Sequence, residues 1–372
     1  MERAQIPETN PADLSPQGIA IWSMVAPLAG LVFAIAPTPS STILLICLGL
    51  LLGAAIMAAV YHAEILAHFL GEPFGTLVLA LAVTVIECSL IVSIMLSEGA
   101  QAQALARDTL IAAIMITMNG IVGLCLLVGG GRHLVQNYTQ SGVSVGLAML
   151  ATLAVLTLIL PNYTISAGGA FYNDTQLVFV AIVSLVIYAT FVGAQTIRHR
   201  DDFLHQSPDD EDDRTHFAPV SRKVAGLAGI VLVVALIAVV LLAKELSPTI
   251  ESAVAAANAP RALVGILIAM VVLAPEGFAA VRAARANRVQ TSLNLAIGSA
   301  LATIGLTIPA VAVVALMLGL DLELGLSMRS TVILALTLLV ATLTLGRGRV
   351  TIVQGMIHLV IFATFLFTTI VP

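Results

Sequence analysis

Long apolar runs, broken by short polar segments, organise the chain from end to end. A helix needs about 20 mostly apolar residues to cross a bilayer, and by that rule the pattern predicts eleven spans. Six lie near 19–36, 42–61, 74–97, 109–129, 144–160 and 176–197. Five more lie near 224–243, 262–281, 290–318, 330–345 and 351–371. The strands of a membrane barrel would show short alternating segments instead, so the pattern predicts an all-α polytopic membrane protein. The ninth run carries Gly298, Gly305 and Pro309, which predict a bend or partial unwinding where protein satisfies the backbone. Gly49-Leu-Leu-Leu-Gly53 in the second run reads as a helix-packing face.

Composition agrees with this pattern. Of 372 residues, 59% are hydrophobic and 10% are charged, against about 25% charged in a soluble domain. Lipid is therefore the expected main solvent. No basic cluster is dense enough to track nucleic-acid phosphates. Cys47, Cys88 and Cys125 lie inside apolar runs without CxxC spacing and read as packing residues. The first 18 residues are polar with no cleavage-site pattern, so the first span is expected to stay in the membrane.

Lysine and arginine set the orientation. With the N-terminus cytoplasmic, twelve of the 16 fall on inner segments, and only Arg107, Lys244, Arg261 and Arg329 fall outside. Eleven spans then put the C-terminus outside. A hydrophilic stretch between spans six and seven contains Pro208-Asp209-Asp210-Glu211-Asp212-Asp213. It divides the chain into a leading segment (1–41), a five-helix unit (42–197), an acidic cytoplasmic loop (198–223) and a second five-helix unit (224–372). Five is odd, so equivalent units must be inverted, an architecture that places a binding site at the repeat interface. The acidic run itself reads as a linker, with cation sensing as the alternative.

Of the 21 acidic residues, only Glu87 and Glu276 fall well inside a span. Such a group costs at least about 2.5–3.5 kcal/mol in hydrocarbon and usually faces a cavity or a partner. No basic residue is expected deep in any span to pair with either one. Each sits in the second helix of its unit, and each is followed by a helix dotted with uncharged oxygens: Thr117 and Asn119 in span four, Asn294, Ser299 and Thr303 in span nine. Two carboxylates with neutral oxygens suit a hard cation, which takes about 6–8 oxygens when it is Ca²⁺. Protons compete for the same oxygens, which is the minimal physics of a cation/proton antiporter. The alternative is two protonated glutamates that merely bridge helices. Asn119, Ser299, Thr303 and Thr84 are candidate neutral ligands, although interhelical bonding by such residues is ordinary in membranes. His62, Glu64, His68 and Glu72 are read as an inner loop leading into the Glu87 span, a candidate entrance for protons or cations.

Two longer motifs add a resemblance. Gly71-Glu72-Pro73-Phe74-Gly75 leading through Leu79 to Glu87 resembles the first α-repeat of bacterial calcium/proton antiporters of the calcium/cation antiporter superfamily. Ala274-Pro275-Glu276, Arg282-Ala283-Ala284-Arg285-Ala286-Asn287 and Ser292 through Pro309 resemble the second. The resemblance implies that Glu87 and Glu276 are the shared cation and proton carboxylates. It implies also that spans two and seven slide to open one side at a time, and that the protein resides in the cell inner membrane. The ligands implied are transported Ca²⁺, Na⁺ or K⁺ and H⁺, among membrane lipid, with no cofactor. Many members carry Gly-Asn before each glutamate, where this chain has Val83-Thr84 and Val272-Leu273. Many also have His after the second, where it has Gly277. Fewer adjacent oxygens leave Na⁺/H⁺ or K⁺/H⁺ exchange as the alternative to Ca²⁺ export. A passive channel would need an uninterrupted pore, usually ringed by like residues. An intramembrane enzyme would need a motif such as HExxH, an Asp pair, a Ser/His pairing or a phosphate-cradling Gly loop, none of which occurs in the spans.

Overall fold

The computed structural model describes residues 19–35, 42–70, 74–98, 103–203, 220–256, 260 and 262–371. Glu72 and the acidic run 209–213 lie outside the described residues. Eleven helical rods follow in order: α1 (Ile21–Ile35), α2 (Thr42–Leu70), α3 (Phe74–Glu98), α4 (Leu105–His133), α5 (Gln140–Tyr163) and α6 (Asp174–Arg198), then α7 (Arg222–Ala256), α8 (Ala262–Arg285), α9 (Val289–Leu318), α10 (Met328–Leu345) and α11 (Ile352–Ile370). Among the described residues, nine are long and apolar enough to cross a membrane. The apolar stretches Ile21–Ala34 and Leu81–Ser93 are shorter. In a lipid setting every backbone polar group must be satisfied within the chain, which leaves the helix as the spanning element.

The two five-helix units, α2–α6 and α7–α11, repeat one packing plan in opposite orientations. α4 packs on α11 as its counterpart α9 packs on α6, and α4 on α8 as α9 on α3. The loops follow the same rule. A short antiparallel ladder pairs β1 (Val135–Asn137), after α4, with β2 (Arg349–Thr351), before α11. The corresponding segments at the other end of the bundle meet at the Phe171–Glu323 bridge. Even the helix starts match. Asn173 with Gln176 opens α6 through a capping box, and Thr351 with Gln354 opens α11 the same way, satisfying amides that would otherwise be orphaned.

Each end is clamped by different chemistry. At the ladder end, Gln136 donates its amide to Ala284 O and Asn287 Oδ1, both at 3.1 Å, and His133 Nε2 lies 3.0 Å from Arg285 O. At the opposite end, Arg107 bonds Asp108 at 3.0 Å and also bonds Glu323 and Gly325 O. The ladder-end clamp is built on amides and an imidazole, the other on ions.

Two hydrophobic clusters result. The larger one unites α4–α6 with α8–α11; the smaller joins α2 to α7, with part of α3 and Val272 of α8. Ala55, Ala59 and Ala63 of α2 and Ala235 and Ala238 of α7 bury completely in that smaller cluster, where short side chains let two backbones approach closely. This corrects the expectation for Gly49 and Gly53: a Cβ at either position meets nothing within 4 Å, so the packing stripe of α2 is its alanines. α9 is likewise not unwound. It runs as one α-helix through Pro309, whereas π turns fall at Ile116–Ile121 in α4, Val155–Ile159 in α5 and Ala194–Arg198 in α6.

The close α4–α11 seam yields a test. A Cβ at Gly355 would stand 2.6 Å from Leu127 N, a backbone atom that has no rotamer to yield. Gly355→Ala should destabilise the protein by about 1–3 kcal/mol and lower the unfolding midpoint in detergent. Gly53→Ala should instead hold or raise the midpoint, since removing a helical glycine is worth up to about 1 kcal/mol. Equal midpoints for the two variants would refute this packing.

Candidate functional site

α9 brings the two intramembrane acids together. Ser299 and Thr303 lie four residues apart, hence on one face of the helix. Ser299 Oγ donates to Glu276 Oε2 at 2.5 Å, and Thr303 Oγ1 donates to Glu87 Oε2 at 2.8 Å. Thr307, one further turn along, meets the Cys88 thiol at 3.3 Å. A single stripe of hydroxyls thus holds α8 through Glu276 and α3 through Glu87. The two carboxylates lie close enough to interact electrostatically. Glu87 is 2% exposed and Glu276 9%, and Glu87 Oε1 is buried without a hydrogen-bond partner.

The location matters as much as the chemistry. Along α3, Ala82, Val83, Ile86 and Leu90 belong to the smaller cluster, while Ile91 and Met95 belong to the larger. Along α8, Val272 belongs to the smaller, and Leu273 and Ala280 to the larger. Glu87 and Glu276 therefore sit on helices that touch both packing bodies, one of them built on α2 and α7. Thr84 is buried one turn before Glu87 on the same helix.

Other expected residues are placed elsewhere. Asn119 is fully buried in the π turn of α4, and its hydrogen bonds run away from the glutamates: Nδ2 donates to Thr337 Oγ1 at 2.9 Å, and Oδ1 lies 3.1 Å from His358 Nδ1. The residue of this turn that faces the Glu276 helix is Ile121, packed against Gly277. Asn119 is thus hydrogen-bonded to α10 and α11 and not to either glutamate. Asn294 bonds Phe203 O and Gln290 near the start of α9. His62, Glu64 and His68 do not form a loop, because α2 continues helically to Leu70. His62 is fully buried toward α1, its Nε2 lying 3.3 Å from Ser23 O. His68 is exposed, with Nδ1 2.7 Å from Glu64 O, and Glu64 is within electrostatic range of Arg282. None of the three is hydrogen-bonded to Glu87 or Glu276.

Two groups escaped the sequence reading. Thr307 and Cys88 extend the hydroxyl stripe, a spacing of four residues after Thr303 that the chain does display. His358 contradicts the expectation that no basic residue lies deep in a span: it is fully buried within α11. It is the sole ionisable residue of that helix, which was its available signal.

Comparison with known proteins agrees with this architecture. The sodium/calcium exchanger protein family matches residues 40–197 and 227–371, that is, both five-helix units. The Sinorhizobium fredii protein y4hA, whose name describes an ionic transporter, is 47% identical over 95% of this chain and 97% of its own. The sodium-potassium/proton antiporter ChaA of Escherichia coli is 35% identical over 87% of each chain. Among solved structures, the H⁺/Ca²⁺ exchanger CAX superposes with a TM-score of 0.70 at 14% identity, covering 93% of this chain and 86% of its own. Native YfkE does so with 0.68 at 17%, covering 95% and 99%; at such identities the likeness is one of fold. With both repeats matched and the chain covered almost throughout, this protein belongs to the sodium/calcium exchanger family.

Proposed function

We propose that this protein is a cation/proton antiporter in which the cation and protons compete for Glu87 and Glu276. The observation that carries the reading is the pair of buried carboxylates held on one face of α9, at the seam between two packing bodies. Protonated, the two acids are neutral and tolerate the apolar surroundings. Deprotonated, they offer four carboxylate oxygens, with the hydroxyl oxygens of Ser299 and Thr303 beside them, to a hard cation that neutralises them. The unpartnered Glu87 Oε1 is the oxygen most in need of such a ligand. Movement of α2 and α7, which pack largely apart from the main cluster, would expose the pair to one side and then to the other. The excess of lysine and arginine supports an inner-membrane protein whose β1–β2 end faces the cytoplasm. The matched relatives are named as transporters, which supports transport over catalysis.

The cargo has two readings. Ca²⁺ export follows from the carboxylate pair and from the relative of Aphanothece halophytica named Ca²⁺/H⁺ antiporter, 27% identical over 57% of this chain. Monovalent exchange is favoured by the ligand set itself: Asn119 is engaged elsewhere, so hydroxyls are the neutral side-chain oxygens bonded to the carboxylates. ChaA, named for sodium and potassium, is also the more similar of the two.

In inside-out vesicles with an acidic interior, adding Ca²⁺, Na⁺ or K⁺ should collapse the pH gradient for the cargo and not for the others. Glu87→Gln and Glu276→Gln should each abolish that response while inserting normally, and substantial exchange in either would sink the assignment.

Competition also fixes a sign. As pH falls through the range where the pair titrates, the half-saturating cation concentration should rise about tenfold per unit for each proton displaced. Ser299→Ala and Thr303→Val each remove a bond to a charged oxygen and should raise it about tenfold or more at constant pH. Equilibrium cation binding to purified protein checks both, and a pH-independent affinity would defeat the competition.

A further inference from the structure

The bundle buries another ionisable group that the exchange scheme leaves unused. His358 lies in α11 near the β1–β2 end and is fully buried. Its Nδ1 is 3.1 Å from Asn119 Oδ1, and its Nε2 is 2.9 Å from Thr344 Oγ1. The hydrogens of those partners are committed elsewhere. Thr344 donates to Val340 O at 2.7 Å. Asn119 directs its amide nitrogen to Thr337 Oγ1 at 2.9 Å, and Thr337 in turn donates to Ile333 O at 2.8 Å. With the Thr344 hydroxyl turned to Val340 O, the ring faces the acceptors Asn119 Oδ1 and Thr344 Oγ1 and no donor. That is the hydrogen-bond complement of an imidazole carrying hydrogen on both nitrogens. A neutral ring has hydrogen on one nitrogen, so the Thr344 hydroxyl must leave Val340 O and donate to Nε2.

We propose that His358, caged by Asn119 and Thr344, is a second proton-binding site of this protein, separate from the glutamate pair. Ionisable groups on the elements packed against α11 have other positions or partners. α4 carries Cys125, with Arg132 and His133 at one end and Arg107 and Asp108 at the other; α8 carries Glu276, Arg282 and Arg285; α10 carries Arg329; β2 carries Arg349. Glu276 is bonded to Ser299, Arg329 to Thr368 O and His133 to Arg285 O. Among the described residues, no salt bridge includes His358. Burial without a carboxylate disfavours the charged ring, whereas two aimed acceptors favour it. Each form of the ring is satisfied by one setting of the Thr344 hydroxyl, which turns to Val340 O when the ring is charged and to Nε2 when it is neutral. Gain of the proton ties α11 at once to the π turn of α4 and to α10, and loss frees one of those ties. The same π turn packs Ile121 against Gly277, beside Glu276. A consequence for exchange rests on the function proposed above; the proton site itself does not.

The test is nitrogen NMR of histidine-labelled full-length protein in lipid nanodiscs, across the pH range in which exchange runs. The His358 signals are identified among the seven histidines by their loss in His358→Gln. The expected result is a change between one and two ring N–H groups within that range. A ring fixed in one form throughout overturns the proposal. Thr344→Val removes the acceptor at Nε2 and should move the pH of the change by about 1–2 units; an unmoved transition refutes the cage. Glu87→Gln, expected to be inactive in exchange, should retain the His358 transition. Its loss there would show one shared site instead of two, so failure of the proton site and failure of the antiport reading are seen separately.

Discussion

Two hydroxyls on one helix carry the organisation of this protein. A carboxyl group inside a bundle is costly unless it is neutral, bonded or occupied, and Ser299 and Thr303 supply one short bond each to Glu276 and Glu87. Because both hydroxyls belong to α9, the two acids are referenced to a single rigid element, not to two helices that drift independently. α9 belongs to the second unit, yet Thr303 bonds the acid of the first. The inverted halves are therefore joined through their chemistry as well as their packing. Close fits keep α9 in place: a Cβ at Gly305 would lie 2.6 Å from Tyr188 Cβ, and one at Gly146 would lie 2.7 Å from Ile297 Cγ2.

Around this anchor the described helices pack as two bodies. The larger cluster is closed at both ends by counterpart loop contacts, the β1–β2 ladder at one and the Phe171–Glu323 bridge at the other. The α2–α7 pair has its own cluster, in which five completely buried alanines stand among leucine, isoleucine and valine. The symmetry is incomplete where chemistry intervenes. α9 is a regular α-helix with a hydroxyl stripe, while its counterpart α4 carries a π turn, a feature frequent at functional sites. That turn directs Asn119 toward His358 and Thr337 and presents Ile121 to the Glu276 helix.

Errors in reading the sequence trace to two physical causes. Face assignment depends on local backbone register, and a π turn changes it without leaving a mark in residue type; Asn119 lies in such a turn and bonds Thr337 and His358. Helix ends depend on tertiary support, so α2 continues through His62, Glu64 and His68 although the apolar pattern stops earlier. Glycine spacing at Gly49 and Gly53 suggested close packing, but only a neighbouring helix can make a small residue useful, and that neighbour meets the alanines. His358 is legible as the lone ionisable group of an apolar span, but its partners on α4 and α10 are not.

Sequence alone determined the solvent, the helical polytopic class and which two acids fall well inside spans, because each follows from the cost of polar groups in hydrocarbon. That cost acts residue by residue and needs no knowledge of neighbours. Which hydroxyl meets which acid, where the seam between packing bodies runs, and what Asn119 and His358 do were decided only by tertiary structure. Those outcomes depend on helix rotation and crossing, which short-range packing between distant segments sets and no single segment encodes.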